Sequence, residues 1–175
     1  ALSLANFNPL AGGYLSVSLD ILTIFFLYKV SKELYSKKVG LIAAFLYATS
    51  PLVVMFSRMP YHTSPISLLA TLFLLFLYRW IKGNVIYFPI VVFICALLYN
   101  FELATILFPI IVAIFLFYGL LKKKAWAKIF NFKIIFLSTL SFLIPMFPVL
   151  YYDLQNGFPQ TVKFAGWIFL EMLGL

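Results

Sequence analysis

The octet Ser57-Arg58-Met59-Pro60-Tyr61-His62-Thr63-Ser64 joins one of the two arginines of this chain to its only imidazole. Arg58 brings a planar guanidinium, which binds a phosphate through two parallel N–H donors. The plainer reading is an interfacial arginine that snorkels to ordinary lipid phosphates. His62 is the only histidine. Imidazole can donate to a phosphate or a hydroxyl, or move a proton near neutral pH. It can equally be polar loop surface. Asn100 and Glu102 form a second polar point inside a long apolar stretch. A carboxylate recessed in a membrane is a candidate for binding a hydroxyl, a metal or a cation. The alternative is a solvated acid capping the following helix. Asp20 stands mid-run after Ser16 and Ser18, where a hydrogen bond to a neighbouring helix is the expected use. Lys163, near Asp153, Gln155 and Asn156, is suited to an anionic head group or to a plain solvated loop.

Other chemistry has little support. Cys95 is the sole cysteine and lies in an apolar run, which fits a small buried hydrophobe. No second His or Cys is placed to complete a metal set with His62. There is no Gly-rich phosphate loop, nucleophile elbow or kinase signature.

The elements that must position these residues are set by charge. Eleven of the thirteen Lys and Arg residues fall into three clusters at alternate gaps between apolar runs. They are Lys29/Lys32/Lys37/Lys38, Arg79/Lys82 and Lys122/Lys123/Lys124/Lys128/Lys133. The other gaps hold only Arg58 and Lys163. Loops rich in Lys and Arg stay cytoplasmic, so the clusters predict cytoplasmic turns in a multi-pass chain of the cell membrane. Spans are expected over residues 11–28, 39–56, 65–81 and 134–152. Pro65 suits a first helical position. The stretch 85–121 has positive charge at both ends and must cross twice, breaking at Tyr99-Asn100-Phe101-Glu102. Its first half is shorter than the roughly 20 residues of a full span. That leaves Asn100 and Glu102 recessed in the outer half. A truncated seventh span begins near Phe164. Pro51, Pro109, Pro145 and Pro148 interrupt spans in their outer halves, and only Pro89 falls in an inner half. Broken helices persist at membrane depth where freed backbone groups face protein or a wet cavity, so that cavity is expected on the outer side.

Composition agrees. The chain of 175 residues is 65% hydrophobic and 10% charged, with mean hydropathy +1.07. A soluble domain of this size cannot hide so much apolar surface. The net charge of +8 lies in short turns and not on one basic face, which argues against a nucleic-acid partner.

The segment 22–35, with Leu27-Tyr28 and Lys32-Glu33-Leu34-Tyr35, followed by Val39-Gly40-Leu41-Ile42-Ala43-Ala44, resembles the second and third membrane helices of GT-C glycosyltransferases. More narrowly it resembles the family 39 type: dolichyl-phosphate-mannose–protein mannosyltransferases and bacterial relatives such as the aminoarabinose transferases of lipid A. Thr49-Ser50-Pro51-Leu52 with Ser57-Arg58, the closing Tyr78-Arg79-Trp80, and Tyr152-Asp153-Leu154 with Gly157-Phe158 carry the similarity further. The resemblance implies transfer of a sugar from a polyprenyl-phosphate carrier to a protein, lipid or glycan on the non-cytoplasmic face. It places Ser57-Arg58 in the outer cavity, at the carrier phosphate. Two departures stand out. The family's catalytic Asp or Glu precedes the helix that starts near Ala11, and residues 1–10 contain no acid. The family often has a Lys after the turn equivalent to Arg79, and residues 83–121 contain none.

The expectation is an all-α polytopic membrane protein with about six full or partial transmembrane helices and a truncated seventh. Residues 1–175 would be one transmembrane domain of a longer protein, lacking the first helix, its catalytic outer loop and the C-terminal part. That segment alone would be inactive. Arg58 and Lys163 would hold the donor phosphate, and His62, Asn100 and Glu102 would line the cavity. Partners would be the lipid-linked sugar donor and membrane lipids. No cofactor is evident, and a divalent metal stays open. A transporter or flippase of a lipid-linked or small polar substrate is the rival reading, for which internal inverted repeats are the missing sign.

Overall fold

The computed structural model describes residues 10–59, 61–127, 129, 131–159, 162 and 166. Among them all regular structure is helical, in seven α-helices. These are α1 Leu10–Leu34, α2 Lys37–Thr49, α3 Pro51–Ser57, α4 Ile66–Ile81, α5 Phe88–Phe101, α6 Leu107–Leu121 and α7 Phe132–Asn156. Short 3-10 turns precede α5, α6 and α7. Helices are what an apolar chain in lipid must form, because each backbone N–H and C=O then finds its partner within the segment.

Among the described residues three spans are long and apolar enough to cross a membrane: Ala11–Leu34, Leu103–Leu121 and Phe132–Asn156. The pair α2–α3 makes a fourth if its bend of 59° is taken within one span. Ile66–Ile81 and Val85–Phe101 are shorter apolar helices. Each of the six expected spans therefore has a helix, and the full membrane length is reached by three or four. The seventh, from residue 164, lies outside the described residues.

The boundaries move for identifiable reasons. The first helix does not stop at Tyr28 but runs on through Lys29, Lys32 and Glu33. Lys and Glu favour helix, and their long stems let the charges reach water from a helical backbone. The turn shrinks to Tyr35 and Ser36, and the Ser36 hydroxyl caps α2 by accepting from Val39 N at 3.3 Å. Pro65 is the residue before α4, not its first helical position. Pro109 does not interrupt a span. It falls in the first turn of α6, where an N–H has no acceptor within the α-helix. Pro89 likewise opens α5. Pro51 does break its span, while Pro145 and Pro148 stay inside α7. Gly157 ends α7 at φ 77°, a left-handed position suited to glycine.

Packing runs α2–α1–α4–α5–α7, with α6 peripheral. Gly40 lets α2 approach α1: a Cβ there would lie 2.8 Å from Tyr28 O. The core is centred on Phe73, Leu77, Trp80, Val91 and Leu98 between α4 and α5. Trp80 Nε1 donates to Trp126 O at 2.8 Å, and the two indoles meet edge to face at 5.3 Å.

Candidate functional site

The helix packing sorts the polar residues into two ends. At one end Arg79 clamps Glu33, with Nε to Oε2 at 3.1 Å and Nη2 to Oε1 at 2.5 Å. Tyr78 donates to Glu33 O at 3.2 Å, and Tyr87 lies under the guanidinium at 5.6 Å. This joins the C-terminal turns of α1 and α4. The Trp80–Trp126 bond brings the turn after α6 to the same end. The described members of the three Lys and Arg clusters therefore share one end of the bundle. The Glu33–Arg79 fork was not foreseen, although Glu33 is the only acid within the three clusters and Arg79 their only arginine.

The opposite end is built from breaks. Ser50 turns to φ −64°, ψ 120°, and Pro51 opens α3 on a new axis 59° away. Proline disfavours helical geometry in the residue before it, so Ser50-Pro51 ends one helix and starts the next. The chain then passes Arg58 and returns through Tyr61–Ser64 to α4. Ser64 Oγ ties that return down. It accepts from Tyr61 N at 3.3 Å and from Ser16 Oγ on α1 at 3.2 Å.

A cavity of about 340 Å³ opens beneath, with α1, α2, α3 and α4 all contributing. Asp20 and Tyr47 form its polar floor, and the Tyr47 hydroxyl donates to Asp20 Oδ1 at 2.9 Å. Thr63, Ser64 and Ser67 add hydroxyls, while Leu52, Val53 and Phe56 make an apolar wall. The sequence predicted the interhelical bond of Asp20 but not its partner. Tyr47 reads as one more aromatic in an apolar run, and only the register of α1 on α2 sets it opposite the acid.

The second break, between α5 and α6, comes to the same end. Glu102 is extended at φ −155°, ψ 130°, and its carboxylate does not cap the following turn. It turns to His62, with Oε2 3.5 Å from Nε2. The side chains are 45% and 60% exposed, so water reaches the pair. His62 also lies against Tyr61, ring centres 4.7 Å apart. Asn100 has another task. Its Nδ2 donates to Ala96 O at 2.9 Å and to Pro145 O on α7 at 3.1 Å. Pro145 O neighbours the Ile144 carbonyl, which Pro148, lacking an N–H, cannot serve. Asn100 thus fastens α5 to the proline-bearing part of α7.

Arg58 ends α3 and is exposed, with its carbonyl facing Gly13 on α1. No ion pair joins it to an acid among the described residues. Lys163 lies outside the described residues. Among the described residues no three His, Cys, Asp or Glu side chains form a metal set.

The molecule is thus an apolar helical bundle with one basic end and one broken, hydroxyl-lined end. Residues 1–152 match the family described as dolichyl-phosphate-mannose-protein mannosyltransferase. The chain belongs to that family. Comparison with curated proteins and with solved structures returned no match. As a member of the mannosyltransferase family it is a membrane glycosyltransferase by kinship, and such proteins draw on polyprenyl-phosphate sugars in general. The match covers both breaks, the cavity and the His62–Glu102 contact. Family membership favours group transfer over transport.

Proposed function

We propose that this protein transfers a sugar from a polyprenyl-phosphate carrier to a protein, lipid or glycan on the non-cytoplasmic face of the cell membrane. It reads as a family 39 enzyme of GT-C type. The observation that carries the proposal is the meeting of His62 and Glu102, from two separate helix breaks, beside a cavity floored by Asp20 and Tyr47. Sidedness rests on charge: the Lys-rich end faces the cytoplasm, so the broken end faces away.

The roles follow from side-chain chemistry. In an inverting transfer the acceptor oxygen attacks the anomeric carbon, and the bond from that carbon to the carrier phosphate breaks. The acceptor proton goes to a carboxylate base in an outer loop. The departing phosphate gains charge, which Arg58, helped by Lys163, holds by charge-assisted hydrogen bonds. His62 and Glu102 add a polar pair at the same end of the bundle, and Asn100 ties α5 to α7.

The test is Arg58→Ala in the intact protein, assayed for sugar transfer from the lipid carrier. Losing one donor to a developing oxyanion lowers the rate on the order of 100-fold. An unchanged rate together with unchanged carrier affinity removes Arg58 from the mechanism.

A further inference from the structure

We propose that the cavity between α1, α2, α3 and α4 is a subsite for one hydroxyl-rich ring carrying an apolar chain. This deepens the transferase reading and rests on it. Asp20 is a carboxylate in the middle of a membrane helix. Such groups are costly and face protein or a polar cavity. Asp20 faces a cavity of about 340 Å³, near the small end of the range for small-molecule sites.

An ionised carboxylate offers about four acceptor positions. Tyr47 fills one of them at Oδ1. The rest of the acceptor capacity of Asp20 is suited to donors from a ligand. Ser67 and Thr63 stand around the same space with hydroxyls that can both donate and accept, and the Ser64 hydroxyl, which already accepts twice, keeps its proton to donate. A sugar ring presents groups of that kind in several directions. A phosphate does not suit this floor, because Asp20 would repel it. Phosphate recognition therefore belongs to the cationic Arg58, and ring recognition to the cavity.

The wall adds the second half of the specificity. Leu52, Val53 and Phe56 lie on α3, the short helix turned aside by 59° at Ser50-Pro51. The bend sets an apolar face along a polar floor. That combination fits an amphipathic molecule whose ring sits on Asp20 and whose hydrocarbon follows α3. Tyr61 completes the lining. The ring can belong to the lipid-linked donor or to a glycolipid acceptor, and the experiment separates the two.

The intact protein in nanodiscs carries Ser67→Cys as a reporter, with other cysteines replaced. Maleimide labelling is timed with polyprenyl-phosphate mannose, bare polyprenyl phosphate, octyl mannoside or octanol present. Melting temperature checks folding, and Thr63→Cys serves if Ser67→Cys does not fold. The donor sugar is the occupant if the mannosyl carrier slows labelling at least fivefold and the bare carrier does not. The acceptor ring is the occupant if octyl mannoside alone protects and octanol does not. Asp20→Asn should abolish either protection while the protein still melts cooperatively. Equal protection by the sugar-free controls, or none by any ligand, overturns the proposal, as does a reporter that never labels. Wild-type transfer activity is measured in parallel. Transfer without ring protection rejects this subsite alone, and protection without transfer rejects the transferase reading alone.

Discussion

Gly40→Ala should loosen the broken end from a distance. A Cβ at Gly40 would stand 2.8 Å from Tyr28 O and 3.2 Å from Lys32 N. Both atoms are backbone, so neither can swing away as a side chain would. Ordinary contact begins near 3.4 Å, which leaves α1 and α2 about 0.6 Å too close. The helices must part, and only Tyr35 and Ser36 join them. Overpacking of this kind costs about 1–3 kcal/mol. Alanine returns about 1 kcal/mol through helix propensity, so the net loss is about 0–2 kcal/mol. The parting should also strain the Tyr47–Asp20 bond, which lies about 10 Å further along the same helix pair. Gly13 provides the control. Its Cβ would meet only Arg58 O, at 3.9 Å, an ordinary contact. Gly13→Ala should therefore be neutral or mildly stabilising. The assay is thermal unfolding of the intact protein in detergent, with both variants and Tyr47→Phe combined with each. Gly40→Ala should lower the melting temperature and mask part of the effect of Tyr47→Phe, because the bond is already weakened. If Gly40→Ala and Gly13→Ala shift stability alike, the close α1–α2 crossing is refuted.

Arg79→Lys should destabilise the joint between α1 and α4, because an ammonium cannot reproduce the two-pronged contact with Glu33. The loss is about 1 kcal/mol for this partly exposed pair, read by melting temperature, and high salt should narrow the difference. Trp80→Phe removes the donor to the buried Trp126 carbonyl, at a cost of about 1–3 kcal/mol. Its denaturation midpoint in detergent should fall, whereas Trp80→His, whose imidazole can turn a ring N–H towards that carbonyl, should recover part of the loss. A cysteine placed at His62 should react with a membrane-impermeant maleimide in intact cells, since His62 is exposed at the broken end. Reaction only after permeabilisation would falsify the assigned sidedness.

The membrane class, the α-helical architecture and the position of both helix breaks were legible in the chain. These features are local or additive. Proline lacks an N–H wherever it stands, and a Lys cluster is a property of consecutive residues. The length of α1 was less legible, because Lys29, Lys32 and Glu33 are compatible with either a turn or a helix whose charges snorkel. Pro109 shows the same limit. Its residue type announces a break, yet a position in the first turn of α6 makes the missing N–H harmless.

By itself, the sequence determined that this is a helical membrane protein with its cations at one end and its irregular backbone at the other. It also marked out Arg58, His62, Asn100 and Glu102 as polar groups worth explaining. Only the tertiary structure decided which of them meet. It joined His62 to Glu102, gave Asn100 to a carbonyl of α7, paired Glu33 with Arg79 and set Tyr47 against Asp20. Those pairings depend on how far one helix slides and turns against its neighbour. That register is fixed by close approaches such as Gly40 on Tyr28, between residues far apart in the chain, and no run of consecutive residues encodes it.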